Sequence, residues 1–520
     1  MSMKRRSWHR AACAASLLLT ATLTASACSP TPSDDDKDPS GKGGGRLTVA
    51  RTGDIEQLDP ARATAFQSVQ TLGLVYDTLV DTDDSGELVP GLAEKWQVAP
   101  DGKAVELTLR EGVKFHDGTP FTAADAKATL ERNMAKETGS VVGSYLANIT
   151  AVEADGATLT LTLKQPDASL LTALTYTGNA MLAKKDIDAG TVGKKPNGTG
   201  PFRWRKWKQN QRLELAANSA YFAGAPKVST VEFRVIPDEA SIASGMQAGS
   251  FDLGILSDPA VAKQVTGAKA AVTAQPTLAY HVLQLNARKG PLAKPEARQA
   301  IACAVDRQEI ADAVYFGQAK VTGPITSPAY PYDPTAALPC EPGDTAAAKA
   351  LLKKAGYPDG FELKTITMTG EYSTSTNIAQ VLQAQLKKIG VTLELERQQT
   401  NVYVDNWMKG KFDAAVALNG GSVDPYLIYN RYFTKGASLT VPAGYDSPRL
   451  DELLAAANLT TDKTDRTARF DDLQKELLGQ SPWVWLFANQ VYYAVGTDLK
   501  GFKALPTESL EYLGKATVGR

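Results

Sequence analysis

Apolar and polar residues alternate in "VELTLR" and again in "TLTLTLK". Val105, Leu107 and Leu109 therefore share one face of an extended segment, as do Leu159, Leu161 and Leu163. A period of two marks strands with one buried face. "STVEFRVI" (229–236) and "HVLQLN" (281–286) predict further strands, with a helix over "DEASIASGMQAG" between them. Past Asn286 the period lengthens. "EARQAIACAVDRQEIADAVY" gathers Ala300, Ile301, Ala304, Val305 and Ile310 on one helical stripe. From about Thr376, Ile378, Val381, Leu382, Leu386 and Ile389 recur at helical spacing, and Gly390 supplies the stop. That helix lies between "FELKTITM" and "VTLELE", which makes a strand–helix–strand unit with parallel strands. A second unit runs through a helix around Val402–Met408 into "FDAAVAL". The pattern predicts a first half of mixed sheet and helix and a second lobe on a mainly parallel sheet. The last strand-like stretch, "PWVWLFANQVYYAVG", is placed to cross back to the first lobe.

A chain of 520 residues is long enough for two or more cores. Its start is not part of either. Lys4, Arg5, Arg6 and Arg10 precede an uncharged run, 11–27, that is rich in Ala and Thr and ends in small residues. This is the layout of a secretory signal, and the run is too short for a membrane span. "TASAC" then ends in Cys28 and is similar to a bacterial lipobox, which implies a lipidated Cys28 and attachment to the outer face of the cytoplasmic membrane. Plain secretion is the alternative. Residues 28–45, "CSPTPSDDDKDPSGKGGG" in their wording, contain no large hydrophobe and read as a disordered tether. Cys13 leaves with the signal, so Cys303 and Cys340 remain as an even pair in an exported chain. A disulfide between them, worth about 4 kcal/mol by loop closure, is the expected state, with two buried thiols as the alternative.

The charge balance, 56 Lys+Arg against 57 Asp+Glu, offers no basic field for nucleic acid. "FRWRKWKQN" (202–210) interleaves bases and tryptophans, but on an edge strand it reads as a solvated face. Catalysis finds little support. Three histidines occur; one leaves with the signal, His281 sits in a strand, and His116 stands beside Asp117 in "KFHDGTPFTAADA". There Asp117-Gly118 is turn chemistry, and Thr122 with Asp125 forms a capping box for a following helix. His116 is thus a scaffold residue. No HExxH, GxSxG or CxxC appears, so an enzyme is not expected, nor a metal or cofactor.

"LAEKWQVAPDGKAVELTLREGVKFHDGTPFTAADAKATLER" (92–132) resembles the signature of bacterial family 5 extracellular solute-binding proteins, the oligopeptide, dipeptide and nickel-binding group. The likeness continues in order through "LDP" (58–60), "GTGPFRW" from Gly198, "EFRVIPDEASIASGMQAGSFDL" from Glu232, "RQAIACAVDRQEI" from Arg298, "AKALLKKAGYPDGFEL" from Ala348 and "LQAQLKKIGVTLEL" from Leu382. It implies an α/β, two-lobed periplasmic-binding-protein fold of the Venus-flytrap type, with mixed sheets and an extra subdomain in the first lobe. The expected division is a leader at 1–27, the tether at 28–45, a first lobe at 46–285 with an insert at about 86–195, a second lobe at 286–487, and a return to the first lobe at 488–520. Hinges are expected near Gln284–Asn286 and Phe487–Gln490. The implied partners are a peptide or small-molecule ligand, an ABC permease with cytoplasmic ATPases, and the membrane through the lipid anchor; the protein is expected to be a monomer.

In peptide binders of this family, a Trp and then an Asp follow a strand of the second lobe, and that Asp holds the peptide's α-ammonium. Here Leu418 and Gly421 stand at those places, and Asp424 remains before Pro425. Either Asp424 takes the role, or the ligand has no free amine, as in an oligosaccharide. The resemblance and the loop positions together nominate Phe66, Tyr176, Asn179, Tyr372, Trp407, Asn419, Asp424 and Trp485 as ligand-binding residues. A surface sensor using the same clamp is a further possibility, and an extracellular hydrolase a weaker one.

Overall fold

Alternation and helical stripes decide where each segment packs. The structure, a computed structural model, describes residues 44–84, 86–327, 330, 337–369 and 373–519. The leader, Cys28 and Tyr372 lie outside the described residues. Among the described residues, ten strands form one continuous sheet. From edge to edge they are Val391–Gln399, Phe361–Thr369, Ala414–Asn419, Ala270–Leu285, Trp483–Gly496, Leu253–Leu256, Arg46–Arg51, Thr230–Val235, Arg212–Ala217 and Phe202–Lys208. The first three are parallel, as the helical crossovers Ser373–Lys387 and Thr400–Met408 require. At the other end, Arg46–Arg51 pairs in parallel with both its neighbours, and the outer two strands continue antiparallel.

Two long antiparallel strands occupy the middle and belong to both lobes. Residues 270–276 of the first pair with 490–496 of the second beside the first-lobe core. Residues 280–284 pair with 483–488, where Leu283, Leu285, Val484 and Leu486 face one second-lobe core and Tyr280, Val282, Trp483 and Trp485 face another. Between these stretches the register breaks, once from Pro276 to Tyr280 and again from His281 to Val282. Pro276 has no N–H for the ladder, Thr277 donates from its hydroxyl to Asn489 O, and Leu278 N donates out of the sheet to Pro506 O. At Gln284 the pairing with Trp483 is regular, and the irregular stretch lies earlier, opposite the expected hinge at Phe487–Gln490.

The insert is a separate four-stranded antiparallel sheet in the order Ala93–Val98, Ala104–Leu109, Thr158–Leu163, Ile149–Asp155. Its inward residues, Val105, Leu107, Leu109, Leu159, Leu161 and Leu163, are all buried. The helix Ala123–Met134 packs on them through Ala126 and Leu130. Asp125 accepts from Thr122 N at 2.9 Å and from the Thr122 hydroxyl at 2.7 Å, which closes the capping box. His116 Nε2 donates to Gly200 O at 2.9 Å, and Arg203 donates to His116 O at 2.8 Å. Burial pushes that imidazole down to about 4, so it is a neutral strut between insert and first lobe. In the second lobe, Cys303 and Cys340 are joined as a disulfide with Cα atoms 5.8 Å apart.

Candidate functional site

The strand Ala414–Asn419 runs parallel to its neighbour and ends at the boundary between the lobes. Ligands of α/β sheets sit beyond the carboxyl ends of such strands. After Asn419 come Gly420, Gly421 and Ser422, and then the helix Pro425–Phe433. Gly421 is pressed against the irregular crossing: a Cβ there would lie 1.8 Å from Leu278 O. No side chain of any kind fits at 421, which explains why no acid stands at that place.

A cavity of about 630 Å³ opens here, with walls from both lobes. The first lobe contributes Phe66, Tyr76, Asp77 and Tyr176, and the second contributes Trp407, Asn419, Arg431 and Tyr432. The lobes meet along one side of it. Asn430 Nδ2 donates to Ser144 O at 3.2 Å, Ala168 N donates to Asn458 O at 3.0 Å, and Leu427 packs with Val142, Tyr145 and Ala173. A Cβ on Gly420 would sit 3.7 Å from the Phe66 ring, so the first lobe's helix Phe66–Leu72 reaches the second lobe's loop. This is a closed arrangement.

Of the predicted ligand-binding residues, Phe66, Tyr176, Trp407 and Asn419 line the cavity. Trp407 Nε1 donates to Gln284 Oε1 at 2.6 Å, which fixes the indole in the wall. Tyr176 stands edge-on to Tyr145, with ring centroids 5.2 Å apart. Three others lie elsewhere. Asn179 is fully buried behind the wall, donating to Ala173 O at 2.8 Å and accepting from Asn133 Nδ2 at 3.1 Å. Trp485 alternates onto the core face with Trp483, 5.7 Å between centroids, and packs against Tyr429. Asp424 is buried and committed. It caps the helix by accepting from Tyr426 N, and Arg466 grips it bidentately at 2.8 and 3.1 Å. Burial raises the Asp424 pKa against the pull of Arg466. With both oxygens engaged inside the protein, Asp424 does not face the cavity as an anchor.

Sequence reasoning missed the charges that do face it. Arg431 emerges from the helix Pro425–Phe433 with its guanidinium carbon 5.0 Å from the Tyr432 ring centroid. The Tyr145 hydroxyl faces the guanidinium without reaching full hydrogen-bond geometry, and the Arg431 Nε–H has no partner. The Tyr280 hydroxyl and Asn419 Nδ2 nearby are likewise without a partner at hydrogen-bond geometry. The signal was present in "YLIYNRYF": a cation amid buried aromatic residues, with Leu427, Ile428, Thr434 and Lys435 at the helical neighbour positions and no acid among them. On the first-lobe wall stand Asp77, Asp81 and Glu511. Burial raises Asp77 to about 6, although Thr199 and Tyr221 donate to it at 2.6 and 2.9 Å. Burial and then the nearby Asp81 push Glu511 up to about 7. The first-lobe wall is therefore rich in acids, with Lys515 among them, and the second-lobe wall carries Arg431. Among the described residues no cluster of potential metal ligands occurs, and no helix is long and apolar enough to cross a membrane.

Residues 87–439 match the family model described as bacterial extracellular solute-binding proteins, family 5 middle. The glutathione-binding protein GsiB of Salmonella typhimurium is 27% identical over 482 residues, covering 90% of this chain and 93% of the relative. The periplasmic binding protein DppA from Helicobacter pylori, solved with the peptide STSA, superposes with a TM-score of 0.83 at 26% identity, covering 92% of this chain and 99% of that one. The binding protein AgaA from A. tumefaciens R10, solved with agropinic acid, gives a TM-score of 0.84 at 27% identity, covering 92% and 99%.

Proposed function

Because the chain belongs to the bacterial extracellular solute-binding proteins of family 5, we propose that it captures a peptide or peptide-like solute between its lobes and delivers it to an ABC permease. One observation carries this reading: a single cavity of about 630 Å³ has Phe66 and Tyr176 from one lobe facing Trp407 and Asn419 from the other. A solute touching both walls is bound by the closed state and only half bound by the open one. That difference in affinity is what drives closure. The irregular stretches at Pro276–Tyr280 and Phe487–Gln490 are the hinge, because there the ladder is already broken. Cys28 is the lipid attachment that holds the protein outside the cytoplasmic membrane, with residues 29–45 as its leash, and the working form is a monomer.

The reading favours peptides, in line with the solutes named for GsiB and DppA. A second reading, a solute without an amine, draws on the occupied state of Asp424 and on the closed-off position 421. The protein binds and releases its solute unchanged. Native mass spectrometry on protein isolated from its own cells tests these statements together. A co-purifying peptide supports the first reading, an amine-free solute supports the second, and turnover of either would replace both. Small-angle scattering before and after the solute is stripped has to show an increase in radius; an unchanged envelope removes the clamp.

A further inference from the structure

Elsewhere among the described residues, arginines withdrawn from solvent are held by carboxylates, carbonyls or hydroxyls, as Arg51 is by Gln67 O and the Thr71 hydroxyl. Arg466 is paired with Asp424, and Arg132 donates to Asp59. Arg298 donates to the carbonyls of Leu292 and Gln480, and Arg307 donates to Trp485 O at 2.7 Å. Arg431 has no carboxylate within ion-pair distance among the described residues, and its Nε–H is buried without a partner. What surrounds it is neutral: the Tyr432 ring, the Tyr145 hydroxyl, and the side chains of Tyr176 and Tyr280. Burial opposes the charge, but those tyrosine oxygens favour it more, and its pKa moves upward. The group therefore stays a cation.

Holding a cation in such a place with no counter-ion and a buried, unpartnered Nε–H is costly, and packing alone is served better by a leucine. The space beside it is open. Arg431 lines the cavity, and Gly420 next to it carries no side chain; even its Cβ would lie between the Phe66 ring at 3.7 Å and Arg431 Nη2 at 3.9 Å. Asn419, whose Nδ2 has no partner at full hydrogen-bond geometry, lines the cavity at the same end, with its register partner Tyr280 behind it. A planar guanidinium with neighbouring neutral donors is complementary to one chemical group above others, a carboxylate, which accepts two parallel N–H bonds from the fork.

We propose that Arg431 is a specificity-determining residue that seats a carboxylate of the solute, with Asn419 beside it in the cavity wall, so that the substrate class is an organic acid or zwitterion. This rests on the reading that the cavity holds a solute. The acids Asp77, Asp81, Asp83 and Asp84 on the facing lobe, which outnumber Lys515 there, orient such a molecule: they disfavour its carboxylate and accept a cationic end if it has one.

Isothermal titration calorimetry with paired probes tests the assignment on the exported chain. The pairs are trialanine against trialanine amide, and galacturonate against galactose. In the pair that binds, the acid is expected to be tighter than its neutral partner by at least about 30-fold. Arg431→Gln removes that preference and leaves the neutral partner's Kd within about 3-fold, while Arg431→Lys, which keeps charge without the fork, retains part of it. Trialanine and its amide binding alike, with Arg431→Gln changing neither, overturns the carboxylate seat and leaves the peptide reading standing. Galacturonate binding with Arg431-dependent preference, while both alanine probes fail, keeps the seat and removes the peptide reading. Melting of the ligand-free proteins decides even when no probe binds. Arg431→Gln is expected to melt at or above the wild-type temperature, since it deletes an unanswered charge; a fall of more than about 5 °C marks a structural cation and overturns the proposal.

Discussion

Replacing Asp424 by Asn separates two roles that the sequence left open. In the folded protein, Asp424 gives one oxygen to Arg466 Nη1 at 2.8 Å and the other to Nη2 at 3.1 Å, while also capping a helix through Tyr426 N. Both partners are nearly inaccessible, with side-chain exposures of 8% for Arg466 and 6% for Asp424, so solvent does not screen the pair. Breaking a buried pair from one side strands the other charge, at about 3–5 kcal/mol. Arg466 keeps some support: it donates to Ala457 O at 2.9 Å and stacks over the Phe470 ring at 5.1 Å. An asparagine also retains a carbonyl for the cap and for one arginine N–H. These place Asp424→Asn at the low end, about 3 kcal/mol, and Asp424→Ala higher by about 1 kcal/mol for the lost cap. Urea unfolding at neutral pH measures both. The companion measurement is calorimetry with trialanine and N-acetyl-trialanine: an Asp424 that serves stability alone changes neither affinity selectively. A loss below 1 kcal/mol, or a selective weakening of the free-amine peptide, would refute this account and return Asp424 to the ligand.

Three further expectations follow from other parts of the structure. Gly421→Ala should lose more than about 3 kcal/mol or fail to accumulate as soluble protein, because its Cβ would press on Leu278 O; wild-type stability in that variant would show that the crossing yields. Alkylation of the unfolded exported chain without reductant should label neither Cys303 nor Cys340, and reduction should cost about 4 kcal/mol; two labelled thiols before reduction would disprove the bridge. Glu511 and Asp77 have folded pKa values above their unfolded ones, so the folded state holds the extra protons. Their contribution is present below about pH 4 and lost as pH rises through about 6 to 7, so the urea midpoint of ligand-free protein should fall across that window. Glu511→Gln should flatten the upper part of the fall, and parallel profiles for wild type and variant would contradict the assignment.

Elements carried by local chemistry were legible in the chain itself. The alternating leucines of the insert, the Thr122–Asp125 capping box and the helix stop at Gly390 each depend on residues a few positions apart. The cavity was only half legible, because its walls are assembled by closure. Phe66, Tyr176, Trp407 and Asn419 stood out as loop aromatics and an amide. Trp485 looked similar but follows the strand's alternation into the core beside Trp483. The pairing of Asp424 was not legible because its partner, Arg466, lies 42 residues further on a different helix. Arg431 was overlooked since its meaning comes from Tyr145, far away in the insert, and from a missing acid. The break in the central ladder was not legible: Pro276 was visible, but not that its neighbours leave the ladder.

The ten-stranded sheet has two free margins, one on each lobe, and the strand Phe202–Lys208 forms one of them. Its register slips between Trp204 and Lys206, and its outward positions carry Arg205, Lys206 and Lys208. Kinked backbone and repelling cations deny a neighbouring copy the flat, neutral template needed for zipping strand to strand. Molecules packed side by side in a crowded layer can thus keep their sheets to themselves, and the solvated basic face of this strand doubles as a guard against aggregation.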